Sequence, residues 1–246
     1  MRGWLDGREA VGLVAARIME PDLADPHTAS AFPSYTPTEA AADRVVHLVG
    51  VPAGVCAAVW LVTGAAVQGS GLRVLAAALY GLGLVGMLGA SAAYNLTPPG
   101  RTKSLLRRLD YAMIFVMIAG SYTPFALGAL PPGQGWLLFG ASWVVAVLGV
   151  GLKMRFGARY DRAFIALYLA HGWMILPFLP SVVAALSYEA TGLLAAGALM
   201  YTAGVFVYTR DHVRFHNAVW HVMVLLAAGL HLGAISLVLG IREGWN

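Results

Sequence analysis

The sequence predicts a bundle of seven membrane-spanning α-helices, and three observations carry that reading. Hydrophobic residues make up 59% of the 246 residues and charged residues only 11%, where an ordinary soluble domain has about 25% charged. The mean hydropathy is +0.71. The charges fall in short clusters, separated by seven long apolar runs, each near the ~20 residues that cross a bilayer core. This pattern excludes a disordered chain and an ordinary cytosolic enzyme. The runs are continuously apolar rather than alternating, which excludes a β-barrel. Nucleic acid is not an expected partner, because a basic surplus in a membrane protein reports topology.

Residues 1–44 read as a cytoplasmic tail carrying Pro21, Pro26, Pro33 and Pro37, without the basic, apolar and cleavage regions of a signal peptide. Trp4, Val11, Val14 and Ile18 recur near helical spacing, which fits a short interfacial helix or a loosely ordered tail. The transmembrane domain is expected over residues 45–241. Its spans are predicted at 45–67, 74–95, 109–129, 135–152, 163–186, 190–208 and 217–239. Pro124, Pro177 and Pro180 lie in or near spans and should kink helices, with a bend in the third near Pro124. The single cysteine, Cys56, removes any disulfide framework and is expected as a packed thiol in the first span.

Lys and Arg set the orientation. Fourteen fall in the tail and in the second-to-third, fourth-to-fifth and sixth-to-seventh loops, while the opposite side has only Arg73 and Arg242. The positive-inside rule then puts the N-terminus in the cytoplasm and the C-terminus outside. The expected location is the plasma (inner) membrane.

Polar residues inside the spans are the candidate site. Asp110 enters the third span, where a carboxylate is costly and is by default functional, or else begins the helix at its positive dipole end. Ser91 and Asn95 on the second span, and Asn217 and His221 on the seventh, are each four apart and so share a helix face. With alternating span directions, all five lie at the cytoplasmic end. They predict one polar chamber near the inner leaflet if the three helices pack together. His231 should sit about 15 Å deeper, as a separate feature.

These residues resemble the hemolysin III / progestin and adipoQ receptor (PAQR) family, related to the adiponectin receptors and alkaline ceramidases, over about residues 35–239. Thr38-Glu39 with Asp43 and His47 is similar to the stretch entering the family's first helix. Leu109-Asp110-Tyr111 with Gly120-Ser121-Tyr122-Thr123-Pro124 resembles the third-helix signature. His171-Gly172-Trp173, Tyr201-Thr202-Ala203-Gly204 and Val219-Trp220-His221 resemble the fifth, sixth and seventh.

The resemblance implies zinc held by three histidines, supported by a serine and an aspartate. Ser91, Asp110 and His221 match that pattern, but the other two ligand positions are Asn95 and Asn217. A neutral amide oxygen is a weak zinc ligand, so the site is expected to be degenerate, with no cofactor. His216 is about 140° from His221 around the helix and is a poor substitute. His47 and His171 would reach the site only if the packing differs from the family's.

The expected function is binding of membrane lipid, or of a small amphipathic ligand, in the polar chamber. The alternative is a metal-dependent hydrolase of ceramide-like amides, with Asp110 as proton acceptor and Ser91 orienting. A metal-free version would use Ser91, His221 and Asp110 as nucleophile, base and orienter. A third reading is a pore, weakened by the single charge available to line it.

Overall fold

The apolar runs fold as helices that bury small and polar side chains together with large ones such as Tyr80, Phe115 and Phe125, and turn many other large apolar ones outward. A computed structural model describes residues 32–241, so the tail's expected interfacial helix lies outside the described residues. The helices are α1 (Pro37–Val67), α2 (Gly71–Leu96), α3 (Arg101–Gly128) and α4 (Pro132–Phe156). They are followed by α5 (Asp161–Gly172), α6 (Leu179–Ala185), α7 (Tyr188–Tyr208) and α8 (His216–Val238). With α5 and α6 counted as one span, seven helices among the described residues are long and apolar enough to cross a membrane.

α1 shows the burial logic. Its buried face holds Asp43, His47, Gly50, Gly54, Ala58 and Leu61, while Val45, Leu48, Val49 and Val59 are exposed. That is the reverse of a soluble amphipathic helix, as expected where the outer solvent is hydrocarbon and helices associate through small and polar residues. Cys56 is on the exposed side, not packed as the sequence suggested. It lies between the buried positions Gly54 and Ala58, which set the inward face.

Helix starts follow local chemistry. Thr36 caps α1 through a capping box with Glu39, and Pro37 occupies the first turn, where its missing N–H costs nothing. Ser70 and Ser187 accept from Arg73 N and Ala190 N to cap α2 and α7. The first helix begins eight residues before the apolar run, which brings Glu39 and Asp43 into its first turns.

The fifth span is broken: α5 ends at Gly172, a 3₁₀ turn spans Leu176–Phe178, and α6 begins at Leu179. Pro177 has no N–H to continue the α pattern and Pro180 sits in the first turn of α6, consistent with proline's exclusion from helix interiors. α3, in contrast, continues as α-helix through Pro124.

α1 packs on α2 and α8, α2 on α3, α3 on α4 and α8, and α7 on α8. The α2–α3 seam is tight because two glycines let backbones touch. A Cβ at Gly120 would stand 2.8 Å from the Leu79 carbonyl oxygen, and one at Gly83 would stand 3.0 Å from Met117 Cα. Tyr80, fully buried, donates its hydroxyl to the Ala228 carbonyl at 3.0 Å and joins α2 to α8.

The basic clusters are fastened to helix ends. Lys103 Nζ donates to the Tyr94 and Thr97 carbonyls at 2.9 and 2.8 Å, satisfying acceptors left over at the end of α2. Lys153 and Arg107 both pair with Asp161, at 2.5 and 2.9 Å, and Lys153 also lies over the Tyr111 ring.

Candidate functional site

The polar groups converge where α1, α2 and α8 meet. Glu39 fixes the geometry by accepting from Thr36 N at 2.9 Å and from Phe215 N at 3.0 Å, so the start of α1 is tied to the residue before α8. Phe215 has φ +60°, which turns the chain sharply into α8. Tyr35 packs on His216 beside this joint, with ring centroids 5.8 Å apart. Burial pushes the Tyr35 hydroxyl up to about 12, so it stays neutral there.

One turn into α1, Asp43 Oδ1 accepts from His221 Nδ1 at 2.6 Å. With the ring proton on Nδ1, Nε2 of His221 is an acceptor, and it lies 3.3 Å from Ser91 Oγ. Asp43, His221 and Ser91 thus form a hydrogen-bonded chain running from α1 through α8 to α2. His47, one further turn along α1, packs on His221 with centroids 4.5 Å apart. Its Nε2 lies 3.4 Å from Asp43 Oδ2 without hydrogen-bond geometry. One ligating atom from each of Asp43, His47 and His221 lies within 4.8 Å of the other two, and all three side chains are buried.

The zinc positions implied by the resemblance do not fit the ion. Asn217 Nδ2 donates to Asn95 Oδ1 at 3.4 Å, and Asn95 Nδ2 donates to the Ser91 carbonyl at 3.0 Å. The two amides are engaged with each other and the backbone, leaving His221 as the one imidazole in that set.

Beside this cluster lies a cavity of about 390 Å³, within the usual range for a small-molecule site. Ser91, Asn95, Asp110, Asn217 and His221 all line it, at one end. The rest of its wall is mostly apolar, with Ile118 and Phe125 from α3, Leu176 from the 3₁₀ turn, and Leu194 and Ala198 from α7. The five polar residues singled out in the spans therefore do line one cavity.

Some expected roles move. Asp110 lines the cavity but does not orient His221; the carboxylate on Nδ1 is Asp43. His231 is not separate from the cavity: it lines the deeper wall and packs edge-on against Tyr201. His216 faces away, with Nδ1 on the Val213 carbonyl at 3.0 Å. His171 pairs with Ser142 at 2.8 Å in another part of the bundle. Asp43 and His47 were the residues the sequence reading left outside the chamber. Their four-residue spacing, running directly into an apolar run, is the signal that marks them, and His47 approaches because α1 packs on α8.

A bundle of seven helical spans with an internal, polar-ended cavity defines a multi-pass integral membrane protein. The model of the family described as Haemolysin-III related matches residues 37–232. The chain belongs to that family, which is related to the progestin and adipoQ receptors. It is 31% identical to the "Hemolysin-3 homolog" of Bacillus subtilis (strain 168) over 191 residues, covering 78% of this chain and 90% of that protein. It is 28% identical to "Hemolysin-3" of Bacillus cereus over 187 residues, covering 76% and 85%. It is also 29% identical over 171 residues to the human "Monocyte to macrophage differentiation factor", covering 64% and 67%.

Proposed function

We propose that this haemolysin-III-related protein binds an amphipathic lipid inside the bundle. The polar group sits against Ser91, Asn95, Asn217 and His221, and the hydrocarbon chain runs along Ile118, Leu194 and Ala198. The observation that carries this reading is the cavity itself, about 390 Å³ with one polar end and a mostly apolar wall. Burying a methylene in such a wall stabilises by about 0.8 kcal/mol, and the polar end supplies hydrogen bonds to a head group that is otherwise desolvated. Leu176 and Leu179 at the break in the fifth span, and Leu199 on α7, line the cavity and are also exposed. That supports entry from the bilayer between these elements. A pore is disfavoured, because Asp110 is the one Asp, Glu, Lys or Arg that lines the cavity, and a single charge is little to line an ion path.

The Asp43–His221–Ser91 chain favours a second reading, hydrolysis of an acyl lipid. His221 Nε2 takes the hydroxyl proton as Ser91 Oγ attacks the acyl carbon, and that proton then passes to the leaving group. Water releases the acyl chain by the same base. Asp43 holds the ring in the required tautomer. Ser91 and His221 touch the lipid in both readings, so binding is tested first.

The test is native mass spectrometry of gently extracted protein. Wild type is expected to carry a lipid-mass adduct, reduced at least tenfold in Ala198→Trp, which fills the wall, and unchanged in Val144→Trp on the exposed face of α4. Equal adducts in all three would refute a lipid in the cavity.

A further inference from the structure

We propose that Asp43, His47 and His221 form a binding site for a divalent transition-metal cation of the zinc class, tying α1 to α8. This site shares His221 with the positions that the family resemblance implies but takes its other two ligands, Asp43 and His47, from α1, and it does not rest on the lipid reading.

Four observations carry it. The ligand set is two imidazoles and a carboxylate, the chemistry such cations take, with three protein ligands and a fourth position open to water. Asp43 and His47 stand at i and i+4 on one buried face of α1, the spacing at which a helix presents two ligands to one ion. The Asp43 Oδ2 to His47 Nε2 separation of 3.4 Å, with no hydrogen bond formed, matches the roughly 3.3 Å between ligands of a tetrahedral ion bound at about 2.0–2.1 Å. Finally, a small void of about 10 Å³ opens beside the cluster, lined by His47 and His221 together with Val46, Gly50, Val51, Leu88 and Leu225.

Electrostatics point the same way. A carboxylate buried in a membrane-spanning helix is costly, and a bound cation offsets its charge. Binding has a consequence at Ser91. A cation on His221 Nδ1 displaces the ring proton from that nitrogen, and the neutral ring then carries its proton on Nε2. His221 then donates to Ser91 Oγ instead of accepting from it. The loaded protein holds Ser91 as an acceptor, whereas the metal-free protein has the base arrangement, so the cation switches the polarity of this hydrogen bond.

The experiment uses full-length protein in detergent, without a polyhistidine tag, stripped with chelator and titrated with Co²⁺ and Zn²⁺. One equivalent of bound metal, a visible Co²⁺ band of four-coordinate intensity and a raised melting temperature are expected. Asp43→Asn and His47→Gln, both close in shape to the native residues, should weaken binding at least 100-fold while remaining monodisperse. His47→Ala provides a second removal of that ligand. Asp110→Asn and Asn217→Ala should bind as wild type. No saturable metal in the wild type would overturn the proposal. So would full stoichiometry in Asp43→Asn and both His47 variants, or loss in Asp110→Asn, which would place the metal in the cavity instead. None of these outcomes depends on whether lipid is bound.

Discussion

At the residue scale, the centre of the account is Asp43. It holds His221 at 2.6 Å and lies against His47 at 3.4 Å, so removing it strands two buried imidazoles. Breaking a buried pair by removing one partner costs about 3–5 kcal/mol. Asp43→Ala is therefore expected to lower the melting temperature in detergent by several degrees, and Arg44→Ala, on the exposed side of the same turn, to leave it unchanged. Equal melting curves for Asp43→Ala and wild type would remove Asp43 from the joint. Four of the site's residues were readable from i, i+4 spacing alone, because one face of each of two helices repeated a polar pair: Ser91 with Asn95, and Asn217 with His221. Asp43 obeys the same spacing with His47. It was missed because the apolar run begins at Val45, and hydropathy marks where hydrocarbon starts rather than where a helix starts. The identity of the carboxylate on His221 depends on α1 packing on α8, which no local pattern encodes.

At the scale of elements, the α2–α3 seam rests on glycine. The Gly120 Cβ would meet Leu79 O at 2.8 Å, a backbone atom that moves only with its helix. Gly120→Val should separate the helices and cost about 1–3 kcal/mol by overpacking, lowering the yield of monodisperse protein. Gly89→Val, where a Cβ meets nothing within 4 Å, should behave as wild type. Tyr80→Phe should cost about 1 kcal/mol through the lost bond to Ala228, read as a small drop in melting temperature. The number and order of spans were legible because each run is long and continuously apolar. Their ends were not: α3 starts at Arg101, eight residues before the expected span, since basic and polar residues continue a helix past the hydrocarbon edge. The break in the fifth span was foreshadowed by Pro177 and Pro180. Which prolines interrupt was not, since α3 carries Pro124 without ending.

At the scale of the whole molecule, the family follows from residues 37–232, and the positive-inside rule predicts a cytoplasmic N-terminus and an outer C-terminus. A C-terminal alkaline phosphatase fusion should be active and a C-terminal green fluorescent protein fusion dark in a bacterial inner membrane; the reverse would invert the chamber to the outer leaflet. The central claim is that a lipid chain occupies the interior between α3 and α7. The most direct measurement is photocrosslinking of the delipidated protein with a lipid that carries a diazirine in its acyl chain, followed by peptide mapping. Adducts are predicted on Ile118, Leu194 and Ala198, competed by unlabelled lipid and lost in Ala198→Trp. Adducts confined to outward positions such as Val45, Leu48, Val144 and Val147, insensitive to that substitution, would contradict the account.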